Sequence, residues 1–242
     1  MGCCCSKKQK VDEGNGSSTK QVVNVDVSAD IDFLLPNADI LTVDKNKVIA
    51  HTKINSSTIC VNKIISSGIW RCEFVFSSSN VDRFIGIVDA EADVPSFYSP
   101  GSSKISVGYS GINGNVFVDE VATAGCEDWK DGDVVAVEVD MTSSPSVARF
   151  YHNSVVQPVL VSGLPHSIRF CASFMEPGSE VEVKQLVECT SPLSLHNEPV
   201  EVKWIAGGVV ASSYDSVSEE QIPNNEPVQE QPSEQENDQS QE

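Results

Sequence analysis

The chain has 242 residues, long enough for one sizeable domain with tails. Its formal net charge is −19, from 16 Lys and Arg against 35 Asp and Glu, which argues against nucleic acid as a partner. No run of about eighteen apolar residues occurs, so no helix of this sequence is set to span a bilayer.

The chain opens Met1-Gly2-Cys3-Cys4-Cys5-Ser6. With the initiator methionine removed, Gly2 heads a Met-Gly-x-x-x-Ser pattern, the acceptor signature for N-myristoylation. One myristoyl chain binds a membrane only marginally, with an association constant on the order of 10⁴ M⁻¹. Cys3, Cys4 and Cys5 offer palmitoylation as the second signal, at roughly 0.8 kcal/mol per buried methylene. Lys7, Lys8 and Lys10 add about 1 kcal/mol each near an anionic leaflet. Residues 1–10 are thus expected to be a lipid-anchor segment, holding the protein by its acyl chains at the cytoplasmic face of a membrane, the plasma membrane foremost. Residues 11–30 are polar and read as a flexible linker, whose ~20 residues span roughly 25 Å on average.

From Ile31 the character changes, and apolar residues alternate with polar ones between turn residues. Trp70, Cys72, Phe74 and Phe76 fall on one face of a strand, and Trp70 is expected in the core. Val135, Val137, Val139 and Met141 form an inward set, with Glu138 and Asp140 opposite. Ile168, Phe170, Ala172 and Phe174 repeat the pattern, as do Val181 and Val183. Val200, Val202 and Trp204 mark a last strand. Turns are signalled by Asn113-Gly114, by Lys130-Asp131-Gly132-Asp133, by His152-Asn153 and by Glu176-Pro177-Gly178. Such segments at close spacing predict an all-β chain folded as an antiparallel sandwich. Cys60, Cys72, Cys126, Cys171 and Cys189 are scattered, without a CxxC pair, and are expected as small hydrophobes in the core. Residues 215–242 carry nine Asp and Glu and no Lys or Arg, lack aromatics, and are expected to be an acidic disordered tail.

Three stretches carry a family likeness. The first is Gly68-Ile69-Trp70-Arg71-Cys72-Glu73-Phe74. The second is Val107-Gly108-Tyr109-Ser110-Gly111, followed by Trp129-Lys130-Asp131-Gly132-Asp133-Val134-Val135. The third is Val139-Asp140-Met141, followed after a turn by Val147-Ala148-Arg149-Phe150-Tyr151-His152-Asn153. In this order they resemble a SPRY domain, most strongly over residues 45–190 within a domain set at 31–210. Ser154 stands where the family usually has glycine, so a wider hairpin is expected there. The resemblance implies a bent β-sandwich of concanavalin-like outline, no intrinsic catalysis, and recognition of a protein or peptide partner through loops.

The loop from Asp89 to Pro100 is the leading candidate for that contact. It mixes the carboxylates of Asp89, Glu91 and Asp93 with Pro95, Phe97 and Tyr98, and aromatics beside prolines suit peptide capture. The competing role for Phe97 and Tyr98 is packing at the core edge. Tyr109 and Trp129 are further candidates for lining a pocket, again against a packing role. Arg83 and Arg149 are ion-pair or ligand residues. The acidic loop fails the EF-hand pattern, since glycine is absent at loop position six and Pro100 falls where the bidentate glutamate belongs. His51, His152, His166 and His196 have no metal-ligand spacing, and no nucleophile elbow or phosphate-binding loop is present. Neither metal nor cofactor is expected, and a monomer is the default. A lectin-like carbohydrate-binding sandwich is the alternative, and a hydrolase the more remote one.

Overall fold

Period-two alternation requires two faces, and the strands it builds pack their apolar faces against each other. The computed structural model describes residues 31–36, 38–51, 57–79, 82–192 and 198–204. Gly2, Cys3, Cys4 and Cys5, with the rest of the expected anchor, the linker and the acidic tail, lie outside the described residues, as does His196. The described chain runs through β1 (Phe33–Leu34), a 3-10 turn (Ala38–Ile40), β2 (Leu41–Asp44), β3 (Lys47–Ala50), β4 (Ser57–Val61) and β5 (Ile69–Ser77). It continues through β6 (Phe84–Asp89), β7 (Ser106–Ser110), β8 (Val116–Val118), β9 (Val121–Thr123) and β10 (Val134–Asp140). The last strands are β11 (Val147–His152), β12 (Val155–Ser162), β13 (Ile168–Phe174), β14 (Glu180–Cys189) and β15 (Val200–Lys203).

Two sheets result. The first has the order β15-β12-β11-β10-β5-β14-β3-β2, and the second β1-β4-β13-β6-β7-β8-β9. All pairs are antiparallel except β12 with β15. That exception follows from connectivity: between Ser162 and Val200 the chain passes through β13 and β14, the long crossover that parallel pairing needs. The core between the sheets is built by the expected inward sets, with Cys72, Phe74 and Phe76 facing Ile85, Ile87, Phe170 and Phe174.

Several expectations need correction. Trp70 lies on the core-facing side of β5 but is only half-buried, with Lys63 Nζ 4.4 Å above its ring and its Nε1 donating to the Ser67 carbonyl. Glu138 and Asp140 do point away from the core, yet both are buried. Glu138 accepts a hydrogen bond from Tyr151 Oη at 3.1 Å and lies 3.8 Å from Arg149 Nη1. Arg71 in turn stacks on the Tyr151 ring at 4.0 Å. Registered side chains of β5, β10 and β11 thus cover one another on the outer face. Cys60, Cys72 and Cys171 are buried, whereas Cys126 and Cys189 are half-buried; all five thiols are free. Val200 is 49% exposed at the sheet edge, while Val202 and Trp204 are buried.

The hairpin after β11 is tight rather than wide. His152 pairs with Val155, leaving a two-residue loop in which Asn153 and Ser154 have φ of 48° and 70°. This is the type I′ signature, two successive left-handed residues. Asn153 tolerates it and uses its side-chain oxygen to accept the Val134 N–H at 3.0 Å. Further along, the register shifts between Arg149 and Tyr151, which absorbs Pro158 inside β12.

Candidate binding surface

The Asp89–Pro100 segment leaves the end of β6 and turns back over the outer face of the second sheet. Its entry is fixed by backbone bonds: Asp89 N to Ile105 O at 2.8 Å and Ala90 N to Ser167 O at 3.0 Å. Arg169 Nη1 donates to the Ala90 carbonyl as well. Asp89 Oδ1 accepts the Glu91 N–H at 3.0 Å, so this carboxylate shapes the turn. Glu91, Asp93 and Pro95 are exposed. No group of three metal-ligating side chains forms among the described residues.

The two adjacent aromatics divide their roles. Tyr98 is 7% exposed and pins the segment to the sheet. Its hydroxyl is 2.9 Å from Ser103 Oγ and 2.7 Å from Ser106 Oγ, and its carbonyl accepts from Thr58 Oγ1. The expectation of Tyr98 as an exposed binding residue is therefore replaced by an anchoring one. Phe97 is 58% exposed, with φ of 63°. A non-glycine residue in this left-handed conformation is held there only by its surroundings. The anchored Tyr98 on one side and Ser96, donating to the Pro36 carbonyl at 3.3 Å, on the other supply that restraint.

An apolar groove of about 510 Å³ borders the loop, lined among others by Phe33, Leu34, Pro36, Val88, Val94 and Arg169. Its floor is the outer face of the second sheet, where Cys60, Val88 and Cys171 cluster and Val94 packs on them. Cys60 faces Cys171 directly across β4 and β13. Burial pushes the Cys60 thiol up to about 12, against the pull of Arg169, and holds the Cys171 thiol well above its ordinary value. Both are neutral thiols with little nucleophilic character. The groove was not legible in the sequence, because β1 has only two residues and alternation over two residues carries no period.

Tyr109 is a core residue, a correction to its candidacy for partner contact, whereas Trp129 packs in the core and also lines a cleft with Arg83, Gly111 and Ile112. Tyr109 is 0% exposed and Trp129 3%. They form an aromatic cluster with Phe76 and Phe150 at centroid separations of 5.1 to 6.2 Å. Tyr109 Oη donates to the Glu127 carbonyl, and burial, with acidic neighbours, raises its pKa.

His152 sits between two carboxylates rather than free on a hairpin. Its Nδ1 is 2.9 Å from Glu127 Oε2 and its Nε2 3.1 Å from Asp133 Oδ2. Burial raises the Asp133 pKa, but the Lys130 N–H, the Asn153 amide and His152 outweigh it, and the carboxyl ends below its ordinary value. No hydroxyl or thiol is hydrogen-bonded to His152 among the described residues. His51 pairs with Thr42 Oγ1 on the exposed surface of the β2–β3 hairpin.

No family model matches the chain, and no curated protein matches it. Among solved structures it is similar to a human SPRY domain, at 15% identity and a TM-score of 0.52, over 67% of this chain and 99% of that one. It is also similar to the SPRY domain of human HERC1, at 12% identity and a TM-score of 0.49, over 63% and 94% of the two chains. The PSpry domain of TRIM65 gives 14% identity and a TM-score of 0.44, over 67% and 90%. The chain has the SPRY fold: a two-sheet β-sandwich in the outline of the first of these domains.

Proposed function

We propose that this protein is a non-catalytic recognition module that binds a peptide or protein segment at the Asp89–Pro100 loop and the apolar groove beside it, and that acyl chains on Gly2 and one or more of Cys3, Cys4 and Cys5 hold it at the cytoplasmic face of a membrane. The observation that carries the recognition role is the pairing of Phe97 with Tyr98. A large apolar ring is held out to solvent in a strained conformation by a neighbour clamped to the sheet. Rigid aromatic anchors of this kind concentrate binding energy because little side-chain and loop entropy remains to be lost. Leu34, 41% exposed, extends the apolar surface, and Asp93 and Arg169 at the groove wall supply charge for orientation.

On this reading residues 1–10 are the anchor, 11–30 the tether, 31–210 the sandwich and 215–242 an acidic appendage. Tethering confines the module to two dimensions, so modest loop affinity suffices for occupancy.

The test is selection of displayed peptides on the full chain, followed by titration of the winners against Phe97→Ser. The proposal expects enriched peptides whose affinity falls at least tenfold in the variant while its melting temperature is kept. Equal binding by both proteins would remove the loop from the site. For the anchor, Gly2→Ala in cells should move the protein from the membrane to the soluble fraction, and unchanged membrane recovery would refute acylation.

A further inference from the structure

At the opposite end of β6 from the loop lies a separate cleft of about 620 Å³, walled by Arg83, Gly111, Ile112, Asp128, Trp129 and His152 among others. Arg83 directly precedes β6, so the 6 residues of that strand, roughly 20 Å of extended chain, separate it from Ala90.

Arg83 is only 8% exposed, and a buried cation is strongly disfavoured without a counter-charge. It makes no ion pair among the described residues. Its Nη2 donates to the Trp129 carbonyl and its Nη1 to the Ser79 carbonyl at 3.5 Å, both neutral acceptors. Its guanidinium lies over the Trp129 ring at 5.1 Å, a contact that partly offsets the missing anion. Two donors remain without a partner, Arg83 Nε and Trp129 Nε1. Buried orphan donors are rare in native proteins and ask for an explanation.

Gly111 supplies part of it. A Cβ at this position would lie 2.8 Å from Arg83 Nε and 2.9 Å from Trp129 Cε2, the carbon bonded to the orphan indole nitrogen. Glycine therefore lets the backbone at this position pack directly against both residues, at the wall of the cleft that they line, with the two donor atoms themselves buried.

We propose that this cleft is a second recognition site, taking the carboxylate of an Asp or Glu side chain on a peptide that carries a basic residue next to it. Arg83 and the Trp129 indole N–H receive the carboxylate. The exposed Asp128, which makes no ion pair among the described residues, meets the neighbouring base, and Ile112, 48% exposed, offers apolar contact. A free anion fits less well, because the chain carries a net charge of −19 and Asp128 and Asp133 line the cleft together with Lys130. A peptide of mixed charge avoids that repulsion while still delivering the acceptor. The site stands on its own residues and does not depend on Phe97.

The probe is the indole N–H signal of Trp129 in the ¹⁵N-labelled full chain, assigned by its loss in Trp129→Phe. The protein is titrated with the blocked peptide acetyl-Leu-Glu-Lys-amide, its Leu-Gln-Lys counterpart, and acetate alone. A saturable shift of the Trp129 signal with the Glu peptide, with a Kd of roughly 1 mM or tighter, is expected. The Gln peptide and acetate should each bind at least tenfold more weakly. Arg83→Met should abolish the shift, and Gly111→Ala, which fills the notch without removing charge, should weaken it at least tenfold. The remaining tryptophan signals report whether each variant is folded. If Arg83→Met unfolds, the Gly111→Ala titration decides. Phe97→Ser should leave the titration unchanged, so loss of one site is distinguishable from loss of the other. No shift with the Glu peptide, or equal shifts with the Glu and Gln peptides, would overturn the proposal, and a shift with acetate as strong as with the Glu peptide would show an adventitious ion only.

Discussion

Gly108 lies directly beneath Pro100: a Cβ on Gly108 would come within 2.2 Å of the Pro100 carbonyl oxygen. The missing side chain gives the Asp89–Pro100 loop a flat seat on the outer face of β7, and that seat is what lets Tyr98 reach Ser106 and leaves Phe97 outside. Gly108→Ala therefore pushes the loop off the sheet. Overpacking of this kind costs about 1–3 kcal/mol, which is roughly 2–12 °C in melting temperature for a domain of this size. Limited proteolysis should cut the variant between residues 89 and 100 faster than the parent, and equal cleavage would show that the loop does not rest on Gly108.

Ser154 sits at φ of 70° in the β11–β12 turn. A left-handed conformation costs an ordinary residue roughly 1–2 kcal/mol, and glycine escapes this at an entropic cost of about 0.5–1 kcal/mol. Ser154→Gly is thus expected to raise stability by about 0.5–1 kcal/mol in urea denaturation. Asn153→Ala, which removes the acceptor of the Val134 N–H, should lower it by about 1 kcal/mol or more.

Asp133 ties the turn before β10 to His152 and Asn153, and its carboxyl titrates below the ordinary 3.8. A carboxyl with a depressed folded pKa binds fewer protons in the native state than in the unfolded one. Its contribution is complete above the unfolded value of 3.8 and is lost as pH falls through the lower folded value. Asp133→Asn should therefore be less stable than the parent at neutral pH and converge on it as pH falls below 3.8 and through the lower folded value. Parallel stability curves from pH 7 to pH 2 would contradict the assignment.

Burial holds the Cys60 thiol near 12 and the Cys126 thiol near 11, and keeps Cys72 and Cys171 well above the ordinary 9.0. Because the thiolate is the nucleophile, iodoacetamide at pH 8 should leave these four unmodified in native protein. Peptide mapping after a timed pulse checks this, and early labelling of Cys171 would mean that the cover of the second sheet opens readily.

The strands facing the core were legible because β5, β10 and β13 hold apolar side chains at alternate positions, and the turns at Gly114 and Gly178 carry the residues their positive φ demands. What alternation could not show is what covers the outward side. Glu138 has the parity of a solvent-facing residue, yet Arg149 and Tyr151 from the next strand close over it. Phe97 and Tyr98 are adjacent, and only the seat on Gly108 decides which is buried. Arg83 gave no signal of its own beyond its charge, and the close packing of Gly111 against it arises only in three dimensions. The parallel pairing of β15 depends on a crossover through both sheets, which no local pattern records.

Hydrogen exchange of the full chain, with and without a peptide selected for binding, addresses the recognition role most directly. Protection confined to residues 89–100 and to the Phe33–Leu34 strand, absent in Phe97→Ser, is the predicted footprint. Protection elsewhere with residues 89–100 unchanged would contradict it.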